Sequence, residues 1–258
     1  MGVLNSMFSA FLMYSRIPVP KVEWNEENRR YALCFFPLVG AVTGILLLLW
    51  EKLCICLEIG SALFAAAASL LPLLVTGGIH ADGFCDVLDA RASWADREKK
   101  LEIMSDPHIG SFALIGESAY LLLQFGLFTE LRHSGGMLAV ALGYPMSRAL
   151  SGLAAVTFRC AKKKGSLQDF SEAAHKRITI GVLTAAAAVC AVLMIAGSPV
   201  CGTAAVVAAM LSFWYYRHFS YCVFGGITGD LAGYFVQICE LTMLLFVVAA
   251  GLLSGGAE

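Results

Sequence analysis

Asp82, Asp86, Asp89 and Asp96 follow one long apolar run within GGIHADGFCDVLDARASWADREKK, the stretch from Gly77 to Lys100. If that stretch is helical, spacings of four, three and seven residues put all four carboxylates on one stripe. Like charges so close repel unless they are solvated, partly protonated or bridged by a cation. Oxygen-only ligation suits magnesium, manganese or calcium. At a membrane surface the pattern predicts a metal site for a phosphorylated substrate.

A second acidic, glycine-rich element lies far downstream in FGGITGDLAGYFVQICE, from Phe224 to Glu240. In both elements a Gly-Gly-Ile, Gly77 to Ile79 and Gly225 to Ile227, precedes an aspartate, Asp82 or Asp230. Glycines 77, 78, 83, 225, 226, 229 and 233 can either let helices approach closely or expose N–H groups to phosphate. The aspartate after each pair favours phosphate or metal binding. His80 and His108 flank the first cluster and titrate near neutrality, so each is a candidate general base. Glu117, Gln124, Arg148 and Glu240 fall inside apolar runs, where an ionisable group costs at least about 2.5 kcal/mol and must be paired or wetted. Glu117 with Arg148 is one expected pair, and Glu240 is placed to support the site or contact a deep substrate.

These residues need elements to hold them, and the composition says what kind. Of 258 residues, 59% are hydrophobic and only 14% charged, against about 25% charged in ordinary soluble domains, so an all-α integral membrane protein is expected. A net charge of -1 argues against nonspecific nucleic-acid binding. The nine cysteines are scattered through apolar runs without metal-type spacing and read as small buried hydrophobes. No cleavable secretory signal is expected. Leu4, Met7, Phe8, Phe11 and Leu12 recur at helical spacing opposite Asn5, Ser6 and Ser9, which predicts an interfacial helix too short to span.

Seven later segments are long and apolar enough to cross: about 33 to 56, 61 to 79, 111 to 131, 135 to 158, 178 to 197, 200 to 216 and 231 to 253. With the N-terminus inside, the inner segments carry Arg16, Lys21, Arg29 and Arg30; Arg91, Arg97, Lys99 and Lys100; Arg159, Lys162, Lys163, Lys164, Lys176 and Arg177; and Arg217. That is 15 of the 18 basic residues, with only Lys52 and Arg132 outside. The positive-inside rule therefore predicts a cytoplasmic N-terminus, an external C-terminus and both acidic elements facing the cytoplasm. The basic loop from Arg159 to Arg177 reads first as this topology signal and as a contact for lipid headgroups, with binding of an anionic substrate as the lesser alternative. Nothing divides the chain, so residues 1–258 are expected to form a single domain.

Several ordered motifs together resemble the cobalamin synthase family, the adenosylcobinamide-GDP ribazoletransferases. They are Arg16-Ile17-Pro18-Val19-Pro20, Phe36 to Gly40, Gly77 to Gly83 with Asp86 and Asp89, Ile103-Met104-Ser105-Asp106 through Gly110, and Gly225 to Asp230 followed by Glu240. Two departures stand out: Ala90 replaces a usual glycine after Asp89, and Pro107-His108 replaces a usual Ser-Arg pair. A looser similarity to CDP-alcohol phosphotransferases fails on the later spacing of their signature.

The resemblance implies a magnesium-dependent transfer at phosphorus in a multi-pass protein of the cell inner membrane. The ribose hydroxyl of alpha-ribazole, or of its 5'-phosphate, attacks the phosphoryl group carried by adenosylcobinamide, and GMP leaves. It further implies Asp82, Asp86, Asp89 and His80 as catalytic residues and Asp82, Asp86, Asp89 and Asp230 as metal ligands. Gly77, Gly78, Gly83, Asp106, Gly225, Gly226, Thr228, Asp230 and Glu240 would bind substrate. Membrane lipid is an expected partner, and association into a homo-oligomer is compatible with the sequence. A CDP-alcohol phosphotransferase and a cation-coupled transporter are the competing expectations.

Overall fold

The computed structural model describes all residues except 1, 24, 132–134, 163–166, 168–172 and 256–258. Among the described residues the protein is helical, with one isolated parallel bridge between Cys160 and Ile227. The helices are α1 (Gly2–Tyr14), α2 (Glu26–Arg29), α3 (Ala32–Cys56), α4 (Ser61–Thr76), α5 (Ile79–Ala92), α6 (Arg97–Ile103), α7 (Ser111–Leu131), α8 (Met137–Thr157), α9 (Lys176–Gly197), α10 (Pro199–Phe219) and α11 (Gly229–Gly255). A π-helical turn, Ser220–Phe224, extends α10.

Helices α3, α7, α9, α11 and α10 with its π-turn are each long and apolar enough to cross a membrane. The pair α4 and α5 qualifies only when taken together, and it bends by 96°. The count is therefore five, or six with the bent pair, against the seven expected from hydropathy. The shortfall has two causes. Gly77 and Gly78 both take left-handed backbone angles, φ +67° and +81°, which end α4 at Thr76 and turn the chain into α5. Helix α5 carries Asp82, Asp86, Asp89 and Arg91 within 14 residues and is too short and too charged to cross on its own. Helix α8 falls short in hydropathy for a different reason: 17 of its 21 residues are buried, with α3, α9, α10 and α11 packed around it. A helix shielded from lipid has no need of an apolar surface, and this one carries Arg148.

The outer surface fits a lipid solvent. Leu74, Leu122, Val192 and Trp214 are all exposed. In α1 the small polar face, Ser6 and Ser9 with Ala10, is fully buried, while Val3 and Leu4 face outward. This reverses the polarity of a soluble amphipathic helix. Helices close on one another through glycines: a Cβ at Gly40 would fall 2.5 Å from the Tyr144 carbonyl oxygen, and one at Gly44 2.3 Å from that of Ala141. The glycine of the Phe36 to Gly40 element therefore serves the α3–α8 contact.

Candidate active site

Asp82 and Asp86 project from α5, and Asp230 from the first turn of α11. Two glycines bring these helices together. A Cβ at Gly83 would lie 2.7 Å from the backbone oxygen of Asp230, and one at Gly233 would lie 3.1 Å from that of His80. The crossing makes neighbours of residues about 150 positions apart in the chain, and Asp82 and Asp230 line the same cavity of about 140 Å³. Thr228 holds the start of α11, accepting a hydrogen bond at Oγ1 from the Leu231 N–H at 3.1 Å. Asp86 is half-buried and within electrostatic reach of Asp230, Asp82 and Asp89. Its pKa is pushed up to about 7, first by burial and then by those three carboxylates, with Lys162 opposing. Such mutual repulsion is what a divalent cation would relieve.

The glycine pairs act differently from a simple phosphate cradle. The Arg16 backbone N–H donates to the Val75 carbonyl at 2.8 Å, and its side chain fills the space a Cβ on Gly77 would need, sealing the end of α4. Gly225, at φ +73°, leaves room for the Arg97 guanidinium, and Arg159 donates from Nε and Nη2 to the Gly225 carbonyl at 3.2 and 2.9 Å. Residues 159 to 161 run beside this turn: Ala161 N–H donates to Ile227 O and Ile227 N–H to Arg159 O. This docks Lys162 within electrostatic reach of Asp86 and Asp230, with its Nζ donating to Ser105 Oγ at 2.7 Å. Arg97 is a functional candidate that the sequence reading missed, and Arg159 and Lys162 belong to the basic loop for which anionic-substrate binding is the lesser expectation. In the sequence they look like positive-inside charge; the Cys160–Ile227 bridge places Arg159 and Lys162, and the space beside Gly225 places Arg97.

Other expected site residues are engaged by the protein itself. Asp89 accepts hydrogen bonds from the N–H groups of Gly110 and Ala113 at 2.6 and 2.9 Å, which makes it the cap of α7. The four-acid stripe is also broken, because α5 stops at Ala92 and Asp96 caps α6 by accepting from Lys99 N–H. Asp106 is exposed and accepts from His108, through its N–H and at Nδ1, in the turn before α7. That bond holds its carboxyl below the usual range.

Arg148 pairs with Glu240 rather than with Glu117, and Ser147 Oγ also donates to Glu240. This pair is buried among α8 and α11, so Glu240 is engaged with protein. His80 is buried in the cavity wall, where burial foremost and Arg148 secondarily hold its pKa well below the ordinary value.

Among the described residues no three acids, cysteines or histidines stand ready to hold a metal ion. The donor chemistry nevertheless fits magnesium, which is commonly held through one or two carboxylates, with water and substrate phosphates completing its shell. Asp82 and Asp230, lining one cavity with Asp86 within electrostatic reach, offer carboxylates of that kind.

The family model for cobalamin-5-phosphate synthase matches residues 6–248. The chain belongs to this family. Among curated relatives, a Lachnoclostridium phytofermentans protein is 44% identical over 247 residues, covering 96% of this chain and 94% of the relative. One from Treponema denticola is 33% identical over 255 residues (91% and 94%), and one from Clostridium perfringens strain SM101 is 30% identical over 236 (91% and 94%). All three are named adenosylcobinamide-GDP ribazoletransferase. No solved structure matches the chain. Membership in the cobalamin-5-phosphate synthase family sets aside both the CDP-alcohol phosphotransferase and the transporter, and it covers both acidic elements and the Arg159 to Lys162 segment.

Proposed function

We propose that this chain is an adenosylcobinamide-GDP ribazoletransferase, joining adenosylcobinamide-GDP to alpha-ribazole or its 5'-phosphate and releasing GMP. The observation that carries the chemistry is the convergence of Asp82 and Asp230, from α5 and α11, on one cavity. In the reaction the ribose hydroxyl oxygen bonds to the cobinamide-bound phosphorus as the bond from that phosphorus to the GMP oxygen breaks. The hydroxyl proton passes to a carboxylate at the cavity mouth. Such a transfer needs positioning and neutralised charge more than covalent help. Arg97, Arg159 and Lys162 supply fixed positive charge beside the Gly225 turn, and the Asp89 cap fixes α7 against α5. Asp82, Asp86 and Asp230 would hold magnesium, which when bound would neutralise the pyrophosphate and the departing GMP.

The membrane arrangement belongs to the same proposal. Counting α8 as a lipid-shielded crossing, together with α4, from which α5 bends away by 96°, gives seven. The basic-residue asymmetry supports a cytoplasmic N-terminus and a site on the cytoplasmic side of the cell membrane.

The test is turnover of adenosylcobinamide-GDP with alpha-ribazole, with and without magnesium, by the purified protein and by Asp82→Asn, Asp230→Asn and the double variant. Each single change is expected to cost at least about a hundredfold in kcat. The double variant should lose far less than the product, since groups serving one transition state are non-additive. Fully additive losses would separate Asp230 from the Asp82 site, and metal-independent turnover would remove magnesium.

A further inference from the structure

The cavity beside Asp82 and Asp230 has two unlike ends. Asp82 and Gly229 are exposed to solvent, whereas Phe36, His80 and Ser151 are buried. Its inner wall is aromatic: the Tyr14 and Phe36 rings lie 4.2 Å apart between centroids, and Phe36 and His80 lie 5.8 Å apart. His80 is only 7% exposed, and its Nε2 has no hydrogen-bond partner. A buried polar nitrogen without a partner costs about 1–3 kcal/mol, which a ligand atom in the cavity would recover.

The volume limits what fits. About 140 Å³ is close to the roughly 150 Å³ apolar cavity that takes benzene, so one small ring system enters while a corrinoid or a whole nucleotide does not. An acyl chain would satisfy the apolar walls but leave the His80 nitrogen orphaned. An aromatic heterocycle does both, offering faces to Tyr14 and Phe36 and a polar ring or ribose atom to Nε2.

We infer that this cavity seats the aromatic base of the nucleoside co-substrate, with Tyr14, Phe36, His80 and Ser151 setting which bases are accepted. Seated there, the nucleoside leaves its ribose at the open end, beside Asp82 and Asp230, where the attacking hydroxyl is needed. The inference rests on the transferase reading and adds the determinant of base size. Helix α1 then has a role besides membrane contact, since Tyr14 closes the seat.

The experiment measures KM for a series of alpha-ribosides whose bases are imidazole, benzimidazole and naphthimidazole, each with adenosylcobinamide-GDP. Ser151→Leu narrows the seat and is expected to raise KM for the benzimidazole riboside at least about tenfold, on the scale that pocket size normally discriminates. It should leave KM for the imidazole riboside and for adenosylcobinamide-GDP nearly unchanged. Tyr14→Ala removes bulk, keeps the test alive if Ser151→Leu does not fold, and should improve the naphthimidazole riboside relative to the benzimidazole one. Turnover by the unaltered protein with both variants shifting all three ribosides equally, or none, would overturn the seat and leave the transferase standing; the second pattern would mark a lipid-filled cavity. Failure of the unaltered protein to turn over any pair would defeat the transferase reading and this inference with it.

Discussion

At the scale of single residues, the same side-chain type divides into different jobs according to what its neighbours offer. Asp82, Asp86 and Asp230 are half-buried or exposed carboxylates meeting at the α5–α11 crossing, whereas Asp89 and Asp96 each meet the free N–H groups of a following helix and become caps. The sequence spacing identifies all of them as chemically notable, but it cannot separate ligand from cap, because capping depends on where the next helix begins. Arg148 is a similar case. Its intramembrane position demands a partner, yet Glu117 and Glu240 satisfy that demand equally well until the α8–α11 packing selects Glu240. Arg148 is fully buried, so Arg148→Leu strands a carboxylate and is expected to destabilise the fold by about 3–5 kcal/mol. Arg148→Leu with Glu240→Leu should recover most of that loss, because an apolar pair of similar volume needs no counter-charge. Thermal unfolding in detergent distinguishes the cases: a double variant no more stable than the single one would show that the pair contributes more than mutual neutralisation.

At the scale of elements, the glycines do architectural work that their spacing in the sequence does not specify. Gly77 and Gly78 form the bend that separates α4 from α5, and Gly225 makes space for Arg97. Gly83 and Gly233 do the site's assembly, by removing the side chains that would hold α5 away from α11. Spans, by contrast, were legible in the apolar runs, and α8, expected at about 135 to 158, is there as a helix from Met137 to Thr157, although its burial leaves it less apolar than the lipid-facing helices. The crossing makes a direct prediction. A methyl at position 83 would sit 2.7 Å from Asp230 backbone, so Gly83→Ala must push the two helices apart at an overpacking cost of about 1–3 kcal/mol. It should leave the protein folded while lowering kcat at least about tenfold, since a displacement near 1 Å is enough to cost on the order of a hundredfold in a positioned reaction. Gly126→Ala in α7 meets nothing within 4 Å and serves as the control. Equal turnover in the two variants would show that the Gly83 contact does not position the carboxylates.

At the scale of the whole molecule, one end of the bundle gathers the chemistry and the charge. The start of α5, the start of α11, the Arg159 to Lys162 segment and the Arg16 turn meet there, and the His175 N–H donates to the Arg30 carbonyl, tying the start of α9 to the same end. The opposite end holds the α3–α4 turn after Lys52 and the α9–α10 turn at Ser198. This is the asymmetry that the positive-inside rule reads, and it makes orientation and active-site location a single question: if one is cytoplasmic, so is the other. In a cysteine-free background, a membrane-impermeant thiol reagent applied to whole cells should label Lys52→Cys and spare Lys176→Cys, and lysis should expose the second. Both positions are exposed in the fold, so protection of Lys176→Cys would report the membrane and not burial. Labelling of Lys176→Cys in intact cells would invert the protein and place Asp82, Asp230 and the cationic Arg97, Arg159 and Lys162 outside the compartment that supplies nucleotides.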